Sequence, residues 1–110
     1  MSDIRHDVAE FTAALDDLVH QRTRLGILTI VHEAGRVDFS YLQEALGLTG
    51  GNLSQHLTVL EAAGLVRIDK GYEGRRARTW VSKTKAGTQA LRAEVAALKS
   101  LVAHIEGMES

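Results

Sequence analysis

The chain of 110 residues contains no cysteine, no proline, two Phe, two Tyr and a single Trp. Without cysteine, disulfides, thiolate metal sites and thiol catalysis are all excluded. No apolar run approaches the ~20 residues needed to cross a bilayer. The opening residues MSDIRHD lack the apolar core of a signal peptide, so a cytoplasmic location and no membrane partner are expected. His6, His20, His32, His56 and His104 are scattered, with no HxxxH pair. A glycine-rich phosphate loop, a nucleophile motif and paired catalytic carboxylates are all missing, so neither an enzyme nor a cofactor is expected.

Net charge is also nearly missing, at −1, but its distribution is uneven. Residues 67–85 hold Arg67, Lys70, Arg75, Arg76, Arg78, Lys83 and Lys85 against Asp69 and Glu73, a net of +5. Residues 1–20 hold only Arg5 against five acids, a net of −4. One short basic stretch on a mildly acidic chain is what phosphate contact requires. The length fits one domain over residues 1–110, and a chain this short buries little surface alone, which favours oligomerisation.

What is present is periodicity. Ile4, Val8, Phe11, Leu15 and Leu18 recur every fourth or third residue, predicting an amphipathic helix over roughly 4–19. Leu25, Ile27, Leu28, Ile30 and Val31 crowd several faces of a second, buried helix at about 22–34, stopped by Gly35. Val37–Phe39 reads as a short extended piece. Ser40-Tyr41-Leu42-Gln43 has the S-x-x-Q form of a capping box, opening a helix at about 41–46 that Gly47 closes. Thr49 is a good N-cap for a helix over 50–63, whose Leu53, Leu57 and Leu60 form one stripe before Gly64 ends it. Two short helices around a glycine-containing turn make a helix–turn–helix pattern.

Leu65–Lys70 and Ala77–Ser82 read as the strands of a hairpin whose turn is flanked by Gly71 and Gly74, with the basic residues at its tip. Trp80 is expected as a core anchor beneath it. Thr84 caps a last helix over roughly 85–106, with a seam of Leu91, Val95, Leu98, Val102 and Ile105. The fold class is therefore mainly α with a small β-hairpin (α+β).

The order helix, helix, strand, helix, helix, hairpin, helix resembles that of MarR/ArsR-like winged helix–turn–helix transcriptional regulators. The matching text runs from His20 to about Leu91. It includes Asp38-Phe39-Ser40-Tyr41-Leu42, Leu46-Gly47-Leu48-Thr49, Gly51-Asn52-Leu53-Ser54-Gln55-His56-Leu57, Leu60-Glu61-Ala62-Ala63-Gly64-Leu65-Val66 and Gly74-Arg75-Arg76-Ala77-Arg78-Thr79-Trp80. The chain departs from that group at Gln21-Arg22, where Ser-Pro is usual, and at Ala77, where the wing often carries Pro. Both departures concern backbone stiffness rather than DNA chemistry.

The resemblance implies double-stranded DNA as partner, with the 50–63 helix in the major groove. A 100° step per residue turns Gly51, Asn52, Gln55, Thr58 and Val59 away from the leucine stripe, with Ser54 and His56 on the flanks. Gln55 suits a bidentate contact with adenine, Ser54 a base or phosphate, and Val59 a thymine methyl. Thr49, Gly50 and Gly51 sit where the helix N-terminus would meet a phosphate. Arg75, Arg76 and Arg78, with Lys70, Tyr72 and Lys83 in support, form the wing contact. Residues 21–84 would then be the DNA-binding part.

Two separate seams in one small domain exceed what one subunit needs, so residues 1–20 and 85–110 are expected to form a homodimer interface. Val8, Phe11, Leu15, Leu91, Val95, Leu98, Val102 and Ile105 would line it; the alternative is that the seams pair within one chain. The resemblance also implies room for an unknown small-molecule effector, and His104-Ile105-Glu106 faintly echoes the zinc ligands of some ArsR-like sensors, although no metal is expected. The function expected is a sequence-specific regulator, a repressor on a near-palindromic operator. The alternatives are a winged-helix protein–protein interaction module and a non-specific architectural DNA-binding protein.

Overall fold

A computed structural model describes residues 20–109 of the chain. The helix expected at 4–19, with Val8, Phe11 and Leu15 of the expected dimer seam, lies outside the described residues. Helix α1 is described over residues 20–34 and buries Ile27 and Val31. It ends as expected at Gly35, whose N–H donates to the Val31 carbonyl at 2.8 Å. Strand β1 (Arg36–Asp38) follows, then α2 (Phe39–Leu46), α3 (Gly50–Ala62), β2 (Val66–Glu73), β3 (Arg76–Lys83) and α4 (Lys85–Glu109).

The fold is a winged helix: four helices and one small antiparallel sheet among the described residues. The sheet order is β1-β3-β2, with Val37 opposite Val81 and Ile68 opposite Val81 on the other side. Every element before α4 contributes to one core, comprising Ile27, Val31, Val37, Leu42, Leu53, Leu57, Leu60, Val66 and Val81. Each such side chain contributes about 1.5–3 kcal/mol by leaving water.

Three local expectations are corrected. The N-cap of α2 is Asp38 rather than Ser40: its carboxylate accepts from the Tyr41 N–H at 2.7 Å, so the helix starts two residues earlier than the S-x-x-Q form predicts. Asp caps as well as Ser does, and here the end of β1 places it in extended backbone, as a cap requires. The hairpin is longer than predicted. Gly71 lies inside β2 opposite Arg78, and the turn is Gly74-Arg75, closed by the Glu73–Arg76 pair. Gly74 alone supplies the positive φ (64°) that this two-residue turn needs. Trp80 is half-buried on β3 rather than a core anchor, and the Arg36 guanidinium stacks 4.3 Å from its ring centroid.

Candidate nucleic-acid interface

The α2–turn–α3 unit forms as its sequence dictates. Gly47 takes φ 63° at the end of α2, its N–H donating to the Gln43 and Glu44 carbonyls. Two residues later Thr49 caps α3, its hydroxyl oxygen accepting from the Asn52 N–H at 3.1 Å. At the far end, Leu65 N–H reaches the Leu60 carbonyl and Gly64 N–H the Glu61 carbonyl, both at 2.9 Å. With Leu53, Leu57 and Leu60 buried, helix geometry leaves Gly51, Asn52, Ser54, Gln55, Thr58 and Val59 exposed.

These expected reading residues differ in what they have left to offer. Asn52, Ser54 and Gln55 are exposed, and among the described residues none of their side chains has a hydrogen-bond partner. Thr58 Oγ1 donates to the Ser54 carbonyl at 2.9 Å, so its hydroxyl keeps only acceptor capacity. Thr49 has the reverse: its oxygen serves the cap and its proton is free to donate. A Cβ at Gly51 would touch nothing within 4 Å. Among the described residues that glycine therefore answers no packing need.

His56 stands apart on the flank of α3, half-buried against α1. Arg24 Nε–H donates to its Nδ1 at 3.4 Å, and the His20 ring meets it edge-on with centroids 5.6 Å apart. Burial, then the Arg24 charge, then His20 hold the His56 imidazole below its usual pKa. Sequence reasoning missed Arg24; the mixed polarity of α1 gave no sign of which face would meet α3.

The wing divides its arginines. Arg75 and Arg76 are exposed and, among the described residues, have no acidic partner; Lys70, Tyr72 and Lys83 are exposed along the same hairpin. Arg78 differs from them in being paired with acids of its own chain. Its Nη1 donates to Asp38 Oδ2, and its Nε lies 3.0 Å from Glu73 Oε2. The Nε–H is not aimed at that oxygen, so the contact with Glu73 is an ion pair without a hydrogen bond. Side-chain exposures of 28% for Arg78 and 19% for Asp38 make this pair half-buried, where β1 meets the hairpin. Asp38 thus caps α2 with one oxygen and ties down β3 with the other. The sequence carried a signal for the cap alone, since Asp38 directly precedes a helix, but the longer S-x-x-Q pattern masked it.

Thr84 caps helix α4 as expected: its hydroxyl oxygen accepts from the Gly87 N–H at 2.9 Å, and its O–H donates to the Gly64 carbonyl at 2.8 Å. Leu91 is buried in the protomer (8% exposed), whereas Val95, Leu98, Leu101, Val102, Ile105 and Met108 are 39–73% exposed. His104 and Glu106 lie on this exposed stretch, and no three His, Asp or Glu converge among the described residues. No described helix is long and apolar enough to cross a membrane.

Comparison with known proteins agrees with this architecture. Residues 23–102 match the family of winged helix DNA-binding domains. An uncharacterized protein of Methanocaldococcus jannaschii is 34% identical over 83 residues, which is 76% of this chain and 90% of that protein. Among solved structures, a transcriptional regulator homologue protein from Pyrococcus horikoshii is similar at TM-score 0.70 and 35% identity, over 74% of this chain and 81% of that one. The transcriptional regulator BldR of Sulfolobus solfataricus, at 21% identity, shares the fold: TM-score 0.65 over 96% of this chain and 85% of its own. With the capped helix pair, the arginine-tipped hairpin and a match over most of its length, the chain belongs to the winged helix DNA-binding domain family.

Proposed function

We propose that this protein is a sequence-specific, double-stranded DNA-binding transcriptional regulator that acts as a homodimer on a near-palindromic operator. The observation that carries the reading is the outer face of α3, where Asn52, Ser54 and Gln55 present exposed amides and a hydroxyl on a helix whose other face is locked into the core. A helix of this diameter fills the major groove, and Gln55 is the residue best suited to read an adenine there. Gly51 lets the helix N-terminus approach a phosphate. Arg75 and Arg76 then meet the adjacent backbone or minor groove, with Lys70 alongside, while Arg78 holds the hairpin in position.

The exposed apolar stripe of α4 supports the dimer. Val95, Leu98, Val102 and Ile105 are exposed among the described residues, and a second copy related by a two-fold axis would bury them. Such a dimer presents two copies of α3 to successive major grooves about one helical turn apart. Sedimentation that finds only monomer at micromolar concentration would end this part of the reading. A dimer seated on an operator obstructs other proteins there, so we read the output as repression. The interaction-module alternative is less well supported, because the outer face of α3 offers a protein partner only Val59 as an apolar contact.

The decisive experiment is selection of bound fragments from random duplex DNA, repeated with Gln55→Ala. A defined motif that loses an adenine preference in the variant is the expected result. A motif unchanged by the substitution would refute base reading by Gln55, and no enrichment at all would favour the architectural reading.

A further inference from the structure

An open groove runs between α1 and α3, and its walls include His20, Arg24, Asn52, Gln55, His56 and Val59. No Asp or Glu lines it among the described residues. Of the titratable groups around His56, α1 supplies His20 and Arg24, while α3 and the preceding turn supply only neutral side chains. Among the described residues, none of the three cationic or ionisable groups has a carboxylate partner. Charges of one sign gathered without a counter-charge disfavour one another, and that penalty is removed when an anion arrives.

Position decides which anion. The groove shares Asn52, Gln55 and Val59 with the outer face of α3. The major groove is about 12 Å wide and a helix with its side chains about 10–12 Å across, so the flanks of a seated helix meet the two phosphate backbones. His56 is on such a flank.

We propose that a backbone phosphate of bound DNA seats between Arg24, His20 and His56, and that duplex binding takes up one proton from solvent at His56 Nδ1. The inference rests on the DNA-binding reading above and deepens it. In the free protein Nδ1 accepts from Arg24 Nε–H. Once Nδ1 carries a proton, two donors face each other, and the guanidinium must swing away into the groove. A phosphate there accepts from both groups and reunites them. His56 starts below its usual pKa in the free protein, and the phosphate raises it. Between those two values the complex holds more protons than the free protein, so affinity rises as pH falls through that window and levels off beneath it.

The test measures affinity for a short fluorescent duplex of mixed sequence at constant salt, from about pH 8 to pH 6, where histidine titrates. Binding should tighten by up to about tenfold per pH unit within the window for each protomer engaged, the limit for one proton at each His56. His56→Gln, which keeps an acceptor for Arg24, should flatten the profile, whereas Arg75→Ala should weaken binding equally at every pH. A second measurement needs no variant: the histidine ring signals of the wild-type protein, titrated with and without duplex, should show the His56 midpoint moving upward. A flat wild-type profile, a slope retained in His56→Gln or an unmoved midpoint would each overturn the proposal. An equal midpoint shift with inorganic phosphate alone would overturn the assignment to the DNA backbone. Failure to bind duplex at any pH would instead overturn the DNA-binding reading itself.

Discussion

Helix α3 places leucine at positions 53, 57 and 60, and all three side chains are buried. Helix α4 places Val95, Leu98, Val102 and Ile105 at the same alternation of three and four residues, and all four are exposed. Periodicity therefore reports that a helix has an apolar face; what that face meets depends on what the chain puts opposite it. Opposite α3 stand α1, α2 and the sheet. Opposite the outer part of α4 the described residues put nothing. The same contrast recurs at smaller scale in the wing, where Arg78 is drawn inward by Asp38 and Glu73 while Arg75 and Arg76 face outward.

The contrast can be broken at its strongest point first. Leu53→Ala removes a fully buried side chain between α1, α2 and the sheet. It should lower stability by about 2–5 kcal/mol, as measured by denaturant unfolding. Gly87→Ala is the next largest. The added Cβ would overlap the Leu65 carbonyl, which is backbone and has little freedom to retreat. Overpacking of this kind should cost about 1–3 kcal/mol and lower the thermal midpoint.

Arg78→Ala should cost about 1–2 kcal/mol, since it leaves a mostly buried Asp38 oxygen without its donor. It should also leave the salt dependence of DNA binding nearly unchanged. By comparison, Arg75→Ala with Arg76→Ala should leave stability unchanged and reduce the salt slope by about one per arginine and protomer. Finally, Leu98→Glu on the outer seam should change protomer stability by less than about 0.5 kcal/mol. Its effect should instead appear in sedimentation as a shift from dimer to monomer. A loss of folded structure on that substitution would show that the seam belongs to the protomer's own core.

Much of this architecture was legible because it is local. The helix pair was announced by Thr49, Gly47 and Gly64, whose roles depend on neighbours within five residues, and the leucine stripe by its spacing. The base of the wing was not legible. Asp38 and Arg78 are forty residues apart in the chain and meet only because β1 and β3 pair. Nor could the sequence distinguish Arg78 from Arg76, since the two stand two residues apart on one face of β3 and only the distant Asp38 separates them. Reading Gly71 as a turn residue shortened the hairpin and hid the register. The His20–Arg24–His56 cluster was equally out of reach, because it depends on the rotation of α1 against α3.

Thr84 and Gly87 give the molecule one further property. A single hydroxyl joins the end of α3 to the start of α4, and the missing side chain at Gly87 allows the helix to lie hard against the Leu65 backbone. There is almost no slack at that joint. The stretch from residue 92 to residue 108 is a stiff arm of about 25 Å, clamped at one end to the reading helix. If its far end is held by a twin, a few degrees of tilt there reach the DNA as a change in the distance between the two reading heads.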